Sequence, residues 1–108
     1  MLRKSFKIYV PSTVNVNQEI DNSVYVEKTA RFLSENFGGC TCMPAHGSWV
    51  ASDNSLVQES VTICYAFCNA LAYYKAIATV RKFAHELCAE MSQEAISVEF
   101  NNKLSFVD

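Results

Sequence analysis

Apolar and polar residues alternate in several short stretches of the chain, a pattern that is typical of half-buried β-strands. Pro11 ends the first stretch, because proline has no N–H to donate to a strand ladder. The segment that follows, residues 12–20, is polar and rich in asparagine, which predicts a loop. The alternation predicts strands at residues 4–10, 40–51, 56–67 and 95–100, and Asn101-Asn102 permits a turn into an extra C-terminal strand at 103–107.

Two other stretches repeat apolar residues at steps of three and four, which predicts amphipathic helices. Asp21, Asn22 and Ser23 offer N-cap side chains for the first helix, and Gly38-Gly39 is a typical stop signal. Asn69 caps the second helix, which is predicted over residues 70–92. The two stripes are Val26, Ala30, Leu33 and Phe37, and then Tyr73, Ile77, Val80, Ala84, Leu87 and Met91.

The resulting order is strand, helix, strand, strand, helix, strand, which predicts one α+β domain over residues 1–108. This is the βαββαβ pattern of a ferredoxin-like sandwich, an antiparallel sheet with two helices on one face. Right-handed crossovers place the first and third strands at the centre of that sheet and leave its other face open.

The hairpin at residues 40–67 is the element that the sequence predicts most clearly. Pro44 and Gly47 predict a break or bulge and an edge position for its first strand. Residues 52–55 form the turn, and pairing Ala51 with Leu56 sets Trp49 opposite Gln58 and Met43 opposite Cys64. The face predicted to be core holds Val57, Val61, Ile63, Tyr65 and Phe67, and the opposite face holds Gln58, Ser60, Thr62, Cys64 and Ala66.

Composition narrows the function classes. Half of the 108 residues are apolar and 12% are aromatic, which is enough for a core. A net charge of -2, with scattered lysines and arginines, makes direct nucleic-acid binding an unfavourable hypothesis. We find neither a membrane-spanning window nor a secretory signal, and an odd count of five cysteines indicates free thiols, so we expect a cytoplasmic protein.

The residue types that carry chemistry are sparse. Cys40, Cys42 and His46 lack the paired knuckle spacing of zinc sites, so we predict neither a metal nor a cofactor. A Cys42–His46 dyad is disfavoured because neighbours along an extended strand diverge. His85 on the second helix is best interpreted as a solvated or half-buried residue. We therefore assign no catalytic residue.

Glu59 is the exception, since it falls on the face predicted to be core. A buried carboxylate needs a partner or a raised pKa, which makes Glu59 a candidate ligand-binding or acid/base group. The alternative is a solvated Glu59 near the outer end of the strand, beyond the cover of the helices.

The open sheet face supplies a candidate binding surface, because tryptophan, tyrosine and methionine are enriched at interface cores. The alternative is an ordinary exposed tryptophan that is partly covered by the terminal hairpin. The candidate surface comprises Tyr9, Met43, His46, Trp49, Gln58 and Glu59.

Three short motifs, Gly38-Gly39-Cys40-Thr41, Gly47-Ser48-Trp49 and Leu56-Val57-Gln58-Glu59, form a GGxT…GxW…LVxE pattern. In this the chain resembles a family of small uncharacterised proteins of phages and conjugative elements. The resemblance implies an origin in a mobile element and, by extension, an inhibitor of host defence of the anti-CRISPR type.

Two functions follow as hypotheses. The first is a non-enzymatic protein-binding module that occupies a surface of a host complex such as a CRISPR-Cas assembly. The second is a homodimeric ferredoxin-like domain that binds a small molecule, or performs simple acid/base chemistry at Glu59, between two sheets.

Overall fold

Five antiparallel strands form one sheet in a computed structural model that describes residues 1–15 and 18–108. The order across the sheet is β4-β5-β1-β6-β7, with every neighbouring pair antiparallel. The strands are β1 (Lys4–Pro11), β4 (Thr41–Val50), β5 (Leu56–Cys68), β6 (Ile96–Phe100) and β7 (Lys103–Val107). The predicted C-terminal strand is thus present as β7, and Asn101 and Asn102 make its turn at φ of 51° and 70°.

Both helices, α1 (Ser23–Phe37) and α2 (Ala70–Glu90), cover the same face of the sheet. Phe6 of β1 shows this directly, because its ring stacks on Phe37 of α1 at 5.2 Å and on Tyr73 of α2 at 4.8 Å between centroids. Ile8 and Val10 lie on this face with Phe6, and all three are fully buried. The α+β class with two helices on one face is confirmed.

The helix ends follow the sequence signals in part. Asn69 accepts a hydrogen bond from the Ala72 N–H at 2.8 Å, and Gly38 ends α1 with φ of 86°. The N-cap position of α1, Asn22, does not cap through its side chain. Its amide instead donates to the Pro11 carbonyl at 3.1 Å, which ties the start of α1 to the end of β1.

The prediction of which hairpin face is core was wrong. Cys64, Ala66 and Cys68 are buried beneath the helices, whereas Phe67 is exposed and Ile63 is half-buried on the other face. The reason is the pairing with β1, which sets Ile8 opposite Cys64 and Phe6 opposite Ala66. The small side chains of β5 leave room for the large ones of β1 and for the helices.

The predicted hairpin register was wrong by one residue. Val50 pairs with Leu56, because Ala51 belongs to the turn and its N–H donates to the Ser55 carbonyl at 2.9 Å. Trp49 therefore lies opposite Val57 rather than Gln58, and Met43 lies opposite Ile63 rather than Cys64. The pairing runs without interruption past Pro44 and Gly47, so the expected bulge is absent from this ladder, although β4 is the predicted edge strand.

The segment predicted as a loop contains a short pairing of β2 (Thr13–Val14) with β3 (Gln18–Glu19). Residues 16 and 17 of that predicted loop lie outside the described residues.

Neither α1 nor α2 combines the length and the apolar composition needed to cross a membrane.

Candidate functional site

The sheet face turned away from the helices is apolar and uncovered in the described part of the chain. Every second residue of each strand in the sheet points to this face. The pairing register sets these residues opposite one another on neighbouring strands. The large exposed apolar side chains on this face are Met43 (44%), Trp49 (49%), Phe67 (52%), Leu104 (56%) and Phe106 (70%). Exposed apolar side chains in this number on one face favour a binding surface, although the polar Lys7 and Glu99 lie between those of β5 and those of β7.

The hairpin extends past the end of the sheet proper. Pro11, the last residue of β1, pairs with Val61, so residues 45–50 and 56–60 project as a two-stranded ribbon. Val50 and Leu56 at its tip are 63% and 60% exposed. The ribbon carries most of the residues that the sequence selected as candidates.

The structure divides those candidates between the two faces of the ribbon and sheet. Glu59, Trp49 and Met43 share the open face with Tyr9 of β1, and Glu59 lies opposite Gly47. Gln58 precedes Glu59 along β5 and therefore lies on the other face.

The His46 side chain belongs to the other face, since His46 pairs with Ser60 and its Nδ1 lies 3.4 Å from the Ser60 Oγ. It therefore contacts a hydroxyl on the neighbouring strand rather than Cys42. His46 is nevertheless among the residues that line a cavity on the open face.

A cavity of about 250 Å³ lies on the open face, at the corner where β1 ends and the ribbon begins. Its lining includes Tyr9, Gly47, Glu59, Val61, Ile63 and Ser97. Glu59 is exposed here rather than buried in the core, as the alternative interpretation of this residue expected. Gly47 has no side chain, and a Cβ added there would lie 3.8 Å from the Glu59 Cγ. The glycine therefore leaves space beside Glu59 at this side of the cavity.

A polar cluster on the open face orients Tyr9. Its hydroxyl donates to the Glu99 Oε2 at 2.5 Å, and the Lys7 Nζ lies 3.8 Å from the Glu99 Oε1. The hydrogen bond to Glu99, burial and the negative charge of Glu99 together raise the pKa of Tyr9 to about 12. Tyr9 is therefore a neutral hydroxyl near pH 7 that holds a fixed position beside the cavity.

Glu99 is the member of this polar cluster that orients Tyr9, and the sequence interpretation did not select it. It alternates with the buried Val98 and Phe100, so the outward position was available from the strand pattern. Its adjacency to Lys7 and Tyr9 was not, because it depends on β6 pairing beside β1, which sets Lys7 opposite Glu99.

The cysteines form a second cluster, on the helix-covered face. The Cys42 Sγ lies 2.9 Å from the Cys64 Sγ and 3.7 Å from the Cys40 Sγ. Burial and the contact with Cys42 raise the pKa of Cys40 to about 12 and raise the pKa of Cys64 as well. Near neutral pH these two sulfurs are thiols, which disfavours a nucleophilic catalytic role.

The open-face cavity suits a ligand that combines a positive charge with an apolar portion. The Glu59 carboxylate supplies the negative charge, and the side chains of Val61 and Ile63 supply apolar contact. Within residues 1–15 and 18–108 there is no group of three or more His, Cys, Asp or Glu side chains arranged for a metal ion.

Comparison with solved structures identifies a shared fold. A phage SAM lyase in complex with S-methyl-5'-thioadenosine superposes with a TM-score of 0.61 at 13% identity, covering 94% of this chain and 84% of that one. The apo state of a phage SAM lyase gives a TM-score of 0.60 at 14% identity, covering 94% and 83%. Neither a protein-family model nor a curated protein matches the chain. At these identities the likeness concerns the fold alone.

Proposed function

We propose that the protein is a self-associating enzyme that binds S-adenosylmethionine (SAM), or a related sulfonium nucleoside, at the open-face cavity and cleaves it. The observation that carries the proposal is the Glu59 carboxylate beside an apolar wall, in a cavity that Tyr9 also lines. The shared fold with a phage SAM lyase supports the choice of ligand class. The activity itself is our inference for this chain.

Self-association follows from the size of the cavity. Ligand sites usually enclose about 300–1,000 Å³ and bury most of the ligand. The cavity here has a volume of about 250 Å³ and lies on an uncovered face, so one copy of the chain cannot enclose a nucleoside. A second copy seated on the open face closes it.

The open face is large enough for that contact. Five strands spaced about 4.8 Å apart and about eight residues long give a face of about 24 by 26 Å, or roughly 600 Å². A stable interface covers about 800 Å² of accessible surface on each partner, and accessible surface exceeds the projected area. Phe67, Leu104 and Phe106 are exposed across this face and lose contact with water on association.

The cavity suits a sulfonium because the reaction removes charge. Conversion of SAM to S-methyl-5'-thioadenosine breaks the bond between sulfur and the four-carbon amino-acid chain, and the bond pair moves to sulfur. The substrate's own carboxylate forms a new C–O bond to the carbon that sulfur leaves, so the four-carbon fragment departs as a lactone. The positive charge at sulfur is thereby lost, so apolar surroundings such as Val61 and Ile63 disfavour the charged reactant more than the neutral thioether. In this proposal Glu59 positions the cationic reactant before the bond breaks.

The direct test is incubation of the purified protein with SAM and chromatographic measurement of S-methyl-5'-thioadenosine. We expect turnover by the natural sequence and loss of at least tenfold in Glu59→Gln, with an unchanged circular dichroism spectrum. Glu35→Gln, an exposed carboxylate on α1, is the matched control and retains turnover. Absence of both turnover and SAM binding in a folded natural protein would contradict the proposal.

A second candidate function is the protein-binding module of a mobile element that inhibits a CRISPR-type host complex. The observation that favours it is the same exposed apolar face, with Trp49 and Met43 about half exposed. This function predicts a monomer that does not convert SAM and that protects an invading plasmid in a CRISPR-carrying host. Light scattering coupled to size-exclusion chromatography separates the two candidates, because the first requires an oligomer.

We further infer that the fold is ferredoxin-like with one strand added at an edge. The segment β4-β5-β1-β6 supports this, since β1 lies between its two antiparallel neighbours and both helices cover one face. Either candidate function operates in the cytoplasm, where the free thiols of all five cysteines persist.

A further inference from the structure

Three of the five cysteines line up as a chain of sulfurs that leads from the surface into the core. Cys40 is half-buried and lines a surface cavity of about 300 Å³ beside Gly38 and Gly39. Cys42 is half-buried, and Cys64 is fully buried beneath the helices. The successive Sγ–Sγ distances are 3.7 Å from Cys40 to Cys42 and 2.9 Å from Cys42 to Cys64.

We propose that Cys40, Cys42 and Cys64 form a thiol relay that takes oxidation from a low-molecular-weight disulfide at the surface and ends in a cross-strand disulfide between Cys42 and Cys64. This site is independent of the open-face cavity, because it lies on the opposite face of the sheet.

The backbone geometry permits the final bond. Cys42 of β4 and Cys64 of β5 are directly opposite partners. Opposed residues in an antiparallel ladder have Cα atoms about 4.5–5.5 Å apart, which falls within the range of about 4.4–6.8 Å for disulfides. Their sulfur atoms need to approach by less than about 1 Å to reach the bonded distance of about 2.04 Å.

Cys40 is the entry point because of what surrounds it. Gly38 and Gly39 carry no side chains, and a Cβ added at either would meet no atom within 4 Å apart from those of its own chain neighbours. A small disulfide such as glutathione disulfide therefore reaches the Cys40 sulfur from the cavity. Cys64 is 0% exposed, and the Cys42 sulfur is its hydrogen-bonding neighbour at 2.9 Å.

The exchange steps balance. The Cys40 thiolate attacks one sulfur of glutathione disulfide, forming a mixed disulfide and releasing one glutathione thiolate. Cys42 then attacks the Cys40 sulfur and releases the second glutathione. Cys64 finally attacks the Cys42 sulfur, which leaves a Cys42–Cys64 disulfide and returns Cys40 to a thiol.

In total, two protein thiols lose two hydrogens and one glutathione disulfide becomes two glutathione molecules. Each attack requires the thiolate, and the raised pKa of Cys40 keeps that fraction small near neutral pH. The reaction is therefore slow and is best followed over hours.

The test treats the reduced, folded protein with glutathione disulfide and follows its intact mass, with peptide mapping of the products. The natural sequence is expected to lose the mass of two hydrogen atoms and to yield a Cys42–Cys64 linked peptide. Cys88→Ser is the matched control, because the serine hydroxyl can replace the contact of the Cys88 thiol with the Gln93 carbonyl, and it gives the same product.

Three variants stop the relay at defined steps. Cys64→Ser is expected to stop at a Cys40–Cys42 disulfide, and Cys42→Ser at glutathione bound to Cys40. Cys40→Ser is expected to slow formation of the Cys42–Cys64 bond at least tenfold, since it removes the entry point. Circular dichroism establishes that each variant is folded.

Two results would overturn the proposal. One is a folded natural protein that retains five titratable thiols after prolonged treatment. The other is a first mixed disulfide that maps to Cys68 or Cys88 in the Cys42→Ser variant.

Discussion

Two phenylalanines on neighbouring strands provide a sharp test of which sheet face the helices cover. Phe6 is 0% exposed and touches three aromatic rings, with centroids at 4.8 Å to Tyr73, 5.2 Å to Phe37 and 5.8 Å to Phe100. Phe67 is 52% exposed on the open face, and its aromatic neighbour is Tyr65, at 5.9 Å. The same substitution at the two positions should therefore have very different costs.

Replacement of a buried phenylalanine by alanine costs about 3–5 kcal/mol, from lost burial and from the cavity left behind. We expect Phe6→Ala to fall in that range. For Phe67→Ala we expect about 1 kcal/mol or less, since half of the side chain is already in water and one aromatic contact is worth about 0.5–1.5 kcal/mol. Phe6→Leu keeps most of the apolar side chain but loses the ring contacts, so it should cost less than Phe6→Ala and remains measurable if Phe6→Ala does not fold.

The assay is urea unfolding followed by circular dichroism, with the free energy of unfolding taken from the midpoint and slope. Each variant is measured at two protein concentrations, because the proposed self-association through the open face would make the midpoint depend on concentration. Equal costs at Phe6 and Phe67 at the lower concentration, or a larger cost at Phe67, would refute the assignment of the buried face. A concentration dependence that Phe67→Ala abolishes would support self-association.

Three further substitutions test local features. Gly38→Ala should destabilise the protein by about 1 kcal/mol in thermal unfolding, because alanine is strained at φ of 86°, whereas Gly39→Ala should be nearly neutral. In a pH titration followed by tyrosine absorbance, the component that Tyr9→Phe removes should titrate near pH 12. Glu99→Gln should lower the pKa of Tyr9 towards 10. Because folding raises this pKa, its stabilisation is complete below pH 10 and is lost as the pH rises through about 12. Asn69→Ala should cost about 1 kcal/mol in urea unfolding, since the Ala72 N–H loses its cap.

Residue type and alternation selected six candidate residues, and the tertiary structure divides them between two faces. The open face holds Glu59, Trp49, Met43 and Tyr9, whereas Gln58 and His46 lie on the other face. Glu59 was predicted on the core face, so its place on the open face is a correction. Glu99 was overlooked, because its hydrogen bond with Tyr9 joins residues 90 positions apart in the sequence. No pattern within a few residues predicts that contact, because it arises from the pairing of β1 with β6.

The error in the predicted register of the hairpin also arose from a feature that the sequence pattern does not define. A shift of one residue moves every side chain of a strand to the other face, and the shift here came from a single residue, Ala51, which joined the turn. The turn composition predicted where the chain reverses but not how many residues it uses.

The amino-acid sequence by itself determined the elements of this protein, because periodicity, caps and turn residues act within a few positions of one another. It determined the two helices and the five strands of the main sheet in their order along the chain, down to the stop at Gly38 and the asparagine turn before β7, but not the short β2–β3 pair. Only the tertiary structure decided which face of the sheet the helices cover. Alternation defines two faces of a strand without saying which of them is buried. In this protein the helices cover the face that carries the large side chains of β1 and the small side chains of Cys64 and Ala66. The pattern of β5 alone had predicted that face to be the outer one. That choice left the more apolar face of β5, with Glu59 on it, uncovered by the helices.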